Sequence, residues 1–146
     1  MNHGEKARDL REKGFNCAQC VFAAIAPDFG IEEKSAKKIA SGLGGGFGGL
    51  QGPCGALTGG ILAIGTAFSG EPGEKSDPES KARVYAKTKL FVERFRAEFG
   101  NTECLSLLGV RIGSEEYNRD ADLYKSRCGN FIERGCALAS DVIAGR

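Results

Sequence analysis

Apolar residues recur along most of the chain at the period of an α-helix, and nowhere do they alternate long enough to specify a strand. From Glu5 to Lys13, Ala7 and Leu10 face inward, and Gly14 stands where a helix-ending glycine belongs. Asn16 is an N-cap for a second helix, in which Cys17, Ala18, Val21, Phe22, Ala24 and Ile25 form a wide apolar face up to Pro27. A third helix is predicted from Ile31 to Ser41, with Ile31, Ala36, Ile39 and Ala40 as a narrow stripe beside the solvated Lys34, Lys37 and Lys38.

Between Gly42 and Gly52 seven of eleven residues are glycine, and Pro53 is suited to a first helical turn, so a fourth helix is predicted to start at Pro53-Cys54. After the polar loop Gly70–Ser76, Asp77 and Pro78 read as N-cap and first residue of the longest amphipathic helix. Its stripe is Val84, Thr88, Phe91, Val92, Phe95 and Phe99, ending at Gly100. Thr102 caps a short helix through Cys104 and Leu108, and Gly109–Asp122 reads as loop. A final helix is predicted over Gly129–Ala144, with Phe131, Ile132, Cys136, Ala139, Val142 and Ile143 on one face. The expected fold is all-α: one domain over residues 1–146, a multi-helix bundle with a glycine-rich loop before the fourth helix.

Charge narrows the functional classes. Lysine and arginine number 20 against 19 acidic residues, and the signs alternate along helices, so no basic field exists for nucleic acid. The most apolar run, Ala56–Phe68, has 13 residues, short of the roughly 20 needed to span a bilayer. Membrane insertion is not expected. Met1–Arg11 lacks the apolar stretch of a secretory signal, which makes the cytoplasm the expected location.

The six cysteines then become the candidate chemistry, because cytosolic thiols are kept reduced and seldom form structural disulfides. Four stand at predicted helix starts: Cys17 after Asn16, Cys54 after Pro53, Cys104 two residues after Thr102, and Cys128 before the last helix. A helix N-terminus favours negative charge, so these positions predict lowered thiol pKa values and thiolates able to bind metal or attack sulfur. Cys136 lies between Gly135 and Ala137 within a helix and reads as core packing; Cys20 is open between packing and function.

Several familiar sites fail on spacing or context. Cys17-Ala18-Gln19-Cys20 is a C-x-x-C without the βαβ surroundings of a thioredoxin site, and Val21 replaces the histidine of a haem attachment motif. The sole histidine, His3, falls in what reads as a frayed terminus and is set aside as a ligand. The four helix-start cysteines are separated by 36, 49 and 23 residues, unlike the close pairs of zinc ribbons or the compact ferredoxin runs. The glycine run matches G-x-G-x-x-G by letter but follows a helix, not a strand, so a dinucleotide site is rejected. Its use is to let the backbone N–H groups around Gly46, Gly48, Gly49 and Gly55 approach thiolates or sulfides as a cofactor-binding cradle. No serine–histidine–acid set, carboxylate pair or P-loop can be assembled.

Taken in order, Gly14-Phe15-Asn16-Cys17-Ala18-Gln19, the glycine run, Cys54-Gly55-Ala56-Leu57-Thr58-Gly59, Phe91-Val92-Glu93-Arg94-Phe95, Cys104 and Cys128 resemble one family over nearly the whole chain. It is the redox-active family named for its C, CGAxxG, C, C cysteine arrangement. The resemblance implies a small cytosolic helical protein whose four signature cysteines, here Cys17, Cys54, Cys104 and Cys128, are redox-active or ligate a cluster. Cys20 and Cys136 are additions to that pattern.

Three readings stay open. In the first, the four cysteines ligate an iron–sulfur cluster of the 2Fe-2S type for electron transfer or redox sensing. In the second, the protein is a metal-free thiol–disulfide protein in which Cys17 or Cys54 attacks. The third is a structural module binding zinc or copper(I). A redox protein is the expected partner, with a homodimer also considered.

Overall fold

Two capping boxes set the first two helices. In the computed structural model, which describes residues 1–146, Asn2 Oδ1 accepts from the Glu5 backbone N–H at 2.8 Å, and the Asn2 N–H donates to the Glu5 carboxylate at 3.0 Å. Helix α1 therefore runs His3–Glu12, beginning ahead of the expected Glu5. His3 is ordered rather than frayed: its ring nitrogens lie 2.6 Å from Ser140 Oγ and 2.8 Å from Asp28 Oδ2.

Asn16 caps α2 (Cys17–Ile25) as expected, and Gln19 completes the box. Asn16 Oδ1 accepts from the Gln19 N–H at 2.9 Å, and the Asn16 N–H donates to Gln19 Oε1 at 3.0 Å. Both side-chain amides reach further, Gln19 to the Lys37 carbonyl at 2.9 Å and Asn16 to the Ser41 carbonyl at 3.1 Å. The start of α2 is thus pinned to the end of α3 (Glu33–Ala40). Pro27 ends the α-helical pattern, and the chain passes through a 3-10 turn, Ala26–Phe29, before leaving at Gly30.

The apolar α2 forms the centre of the bundle, with every residue from Cys20 to Ile25 buried. Helix α4 (Gly55–Phe68) lies against it, against α5 (Pro78–Phe99) and against α8 (Ala121–Ala144), while α1 packs on α2 and α8. The approach of α4 to α2 requires Gly59, where a Cβ would stand 2.6 Å from the Ala18 carbonyl oxygen. Asp77 and Pro78 start α5 and Gly100 ends it, as the sequence predicts. Its phenylalanine stripe continues into α8 as an edge-to-face chain, with ring centroids 6.2 Å apart for Phe91–Phe95, 4.8 Å for Phe95–Phe99 and 5.1 Å for Phe99–Phe131.

One continuous core reaches from Ala7 to Val142 and draws on helices from both ends of the chain. Each large apolar side chain fully buried there contributes about 1.5–3 kcal/mol. The architecture is all-α, and the sole strand-like pairing is an isolated bridge between Pro53 and Glu103.

Other boundaries also differ from expectation, α3 starting at Glu33 rather than Ile31. Helix α4 begins at Gly55, leaving Cys54 as its N-cap, and Glu103 rather than Thr102 caps α6 (Cys104–Leu108). Within the expected loop Gly109–Asp122, Ser114 Oγ accepts from the Tyr117 N–H at 3.1 Å and caps the short α7 (Glu115–Arg119). Helix α8 starts at Ala121, not Gly129. Gly129 is interior to the helix with nothing within 4 Å of where its side chain would be, a placement that costs only about 0.5–1 kcal/mol. Tyr124 secures the early turns by packing with Leu108 and Val110 in a second, smaller cluster. Cys128 is therefore inside a helix, and the expectation that four cysteines occupy helix N-termini holds for three.

Candidate functional site

Four elements bring Cys17, Cys54, Cys104 and Cys128 to the wall of one cavity of about 110 Å³. Cys17 is the first residue of α2, Cys54 the N-cap of α4 and Cys104 the first residue of α6. Cys128 lies about two turns into α8. Cys54 and Cys104 are buried, whereas Cys17 and Cys128 are half-buried.

Backbone pairing ties the start of α4 to the start of α6. The Cys54 N–H donates to the Thr102 carbonyl at 2.8 Å, and the Cys104 N–H donates to the Gly52 carbonyl at 2.7 Å. These two bonds flank the Pro53–Glu103 bridge and use amides that a helix start leaves free. Cys17 enters from the other side, its sulfur lying where a side chain on Gly55 would have to go.

Of the glycines expected to form a cradle, Gly55 lines the cavity, joined by Gly45; Gly46, Gly48 and Gly49 do not. Two of those amides are used within the loop, Gly48 N–H to the Gly42 carbonyl at 2.9 Å and Gly49 N–H to the Gly44 carbonyl at 3.1 Å. Gly46 serves closure of the loop: a Cβ there would stand 2.5 Å from Gly52 N. The loop thus shapes the approach to Cys54 by folding on itself.

Thiol chemistry in the metal-free chain also departs from expectation. Burial pushes the Cys54 thiol up to about 12, against the opposing backbone N–H groups of Ala56 and Leu57. Burial likewise raises Cys128 to about 11 and shifts Cys104 upward. Loss of solvent outweighs the helix-start amides at Cys54, and burial favours the protonated form of all three thiols. Proximity to Cys17 raises all three as well, which places the four thiols within one electrostatic neighbourhood.

Cys20 and Cys136 are fully buried and do not line the cavity. Cys20 Sγ donates to the Phe15 carbonyl at 3.4 Å, and burial lifts its thiol to about 12. Cys136 packs in the core, as its neighbours Gly135 and Ala137 suggest.

Several site residues carried no signal in the sequence. Gln51 is buried with a left-handed φ of 59°. Its side chain donates to the Val110 carbonyl at 2.9 Å and accepts from the Ile112 N–H at 2.9 Å, holding that segment against the cavity. Tyr117, Ile112 and Leu108 line the cavity from the stretch read as loop and the helix before it, and Arg11 reaches it from α1. Only the tertiary fold brings these together.

No set of three or more His, Cys, Asp or Glu side chains stands close enough to hold a metal ion. The four thiols surround a space without converging on a single point. No helix is long and apolar enough to cross a membrane.

No curated protein and no solved structure matches the chain. One family does, over residues 15–142, a span that contains all six cysteines. In its name the central motif is written GCAxxG, where this chain reads Cys54-Gly55-Ala56-Leu57-Thr58-Gly59. With its four signature cysteines gathered at one cavity, the chain belongs to the family described as "Putative redox-active protein (C_GCAxxG_C_C)".

Proposed function

We propose that the cavity binds an iron–sulfur cluster of the 2Fe-2S type, and that the protein serves electron transfer or redox sensing with another redox protein as partner. The carrying observation is the sorting of the cysteines: Cys17, Cys54, Cys104 and Cys128 line one cavity, and Cys20 and Cys136 are excluded from it. An all-thiol donor set suits iron–sulfur chemistry. A single zinc or copper(I) ion fits less well, since it would need its sulfurs within about 2.3 Å of one point, and no such set exists. A two-iron unit would be held by Cys17, Cys54, Cys104 and Cys128 together.

Bound there, such a cluster supplies one-electron chemistry at a potential set by burial and by hydrogen bonds to its sulfurs. The chain's part is positional. The backbone bonds of Cys54 to Thr102 and of Cys104 to Gly52 set two thiols, the α2 capping box sets Cys17, and Leu108 and Phe131 limit water. Loading must displace the thiol protons of Cys54, Cys104 and Cys128, so uptake rises with pH. A reducing cytoplasm suits thiols that must stay free before loading. All four ligands come from one chain, so a homodimer is not needed to complete the site.

A metal-free disulfide protein is the second reading, favoured by the lack of a preformed metal set and by four free thiols at one cavity. Serine variants separate the two. The cluster reading expects C17S, C54S, C104S and C128S each to lose most iron and sulfide, while C136A keeps both. A Cys54–Cys104 disulfide in oxidised protein, with no iron in any sample, would favour the second reading instead.

A further inference from the structure

Arg11 is the sole charged side chain on the wall of the four-cysteine cavity. It lies in the last turn of α1, half-buried, and takes part in none of the chain's eight ion pairs. Its neighbours Asp9 and Lys13 pair with each other at 2.9 Å instead. Desolvating a cation without an acid partner is unfavourable unless negative charge collects nearby. The rest of the cavity wall offers only one source of such charge, the cysteine sulfurs.

We propose that Arg11 is the charge partner of this site, stabilising the negative charge its sulfurs carry as thiolates or as ligands. This rests on the cavity being the redox centre but not on which cofactor fills it. The guanidinium shares the cavity wall with Cys17, Cys54, Cys104 and Cys128. Reduction of a thiolate-bound cluster adds one electron and no proton, so the site becomes more negative. A fixed cation at the wall favours that state and raises the reduction potential.

The test compares wild type, R11M and R11K as full chains, with R11Q in place of R11M should the latter not fold. After anaerobic reconstitution with ferrous iron and sulfide, the midpoint potential is read by titration with dithionite and viologen mediators. The metal-free proteins are alkylated with iodoacetamide at one pH, and the rate at Cys128 is followed by mass spectrometry. Arg11 as charge partner predicts a more negative potential in R11M, a near-wild-type potential in R11K, and several-fold slower alkylation of Cys128 in R11M.

A loaded R11M with the wild-type potential overturns the inference. Failure of wild type to load would instead remove the cluster reading, and the alkylation rate then decides the role of Arg11. The same rate decides should R11M fold but take up no iron: equal rates in wild type and R11M reject the charge partnership, and slowed alkylation restored by R11K supports it.

Discussion

The sulfur of Cys17 occupies the space that a side chain on Gly55 would need. That contact joins the first residue of α2 to the first residue of α4 and sets how closely Cys17 approaches the N-cap Cys54. Gly55→Ala would drive a Cβ into Cys17 Sγ and to 2.9 Å from Ala18 N. Overpacking of this kind costs about 1–3 kcal/mol. Urea unfolding of the metal-free variant should show that loss, together with reduced iron uptake on reconstitution. Wild-type values for both would mean the contact does not set the site.

Gly129→Ala should act in the opposite direction. The position is interior to α8, with open space around it, so alanine stabilises by about 0.5–1 kcal/mol. A helix beginning at Gly129 would place the residue at a cap, where alanine gives no such gain. Thermal melting of the single variant distinguishes the two.

Asn16→Ala removes the Gln19 cap and the bond to the Ser41 carbonyl. A lost N-cap costs about 0.5–2 kcal/mol. Because Cys17 follows directly, the variant should also load less iron than a variant of equal stability elsewhere, such as Asn2→Ala. Equal loading in the two would confine Asn16 to a stability role.

The metal-free protein should lose stability in alkali. Its Cys54 and Cys20 thiols are raised from 9.0 to about 12 and Cys128 to about 11, with burial the main cause. Above the unfolded value the folded chain binds more protons than the unfolded one, so stability is full below pH about 9 and falls as pH climbs toward about 12. Denaturant midpoints measured under reductant and without air should be flat near neutrality and then decline across that window. A midpoint unchanged up to pH about 11 would contradict the burial of these thiols.

The sequence made the local features of the site legible and left its assembly hidden. Asn16, Asp77, Pro78 and Gly100 mark helix ends by short-range chemistry that any context preserves, and α2 and α5 begin where expected. The phenylalanine stripe was readable because helical spacing alone puts Phe91 and Phe95 inward. Gly129 misled because a glycine resembles a boundary wherever packing is unknown, and the packing of Tyr124 on Leu108 and Val110 is tertiary. The same limit hid Arg11 and Gln51: one is an ordinary polar residue near a helix end, the other an ordinary polar residue in a glycine loop. The upward thiol shifts were missed for the related reason that a dipole is visible in a sequence, whereas burial is not.

The central claim is tested most directly by iron and acid-labile sulfide content, read with the visible spectrum of the full chain purified without air. A cluster at Cys17, Cys54, Cys104 and Cys128 predicts about two irons and about two sulfides per chain, with broad absorbance between roughly 400 and 600 nm that C54S abolishes. A colourless chain with neither iron nor sulfide, which reconstitution with both cannot change, would contradict it.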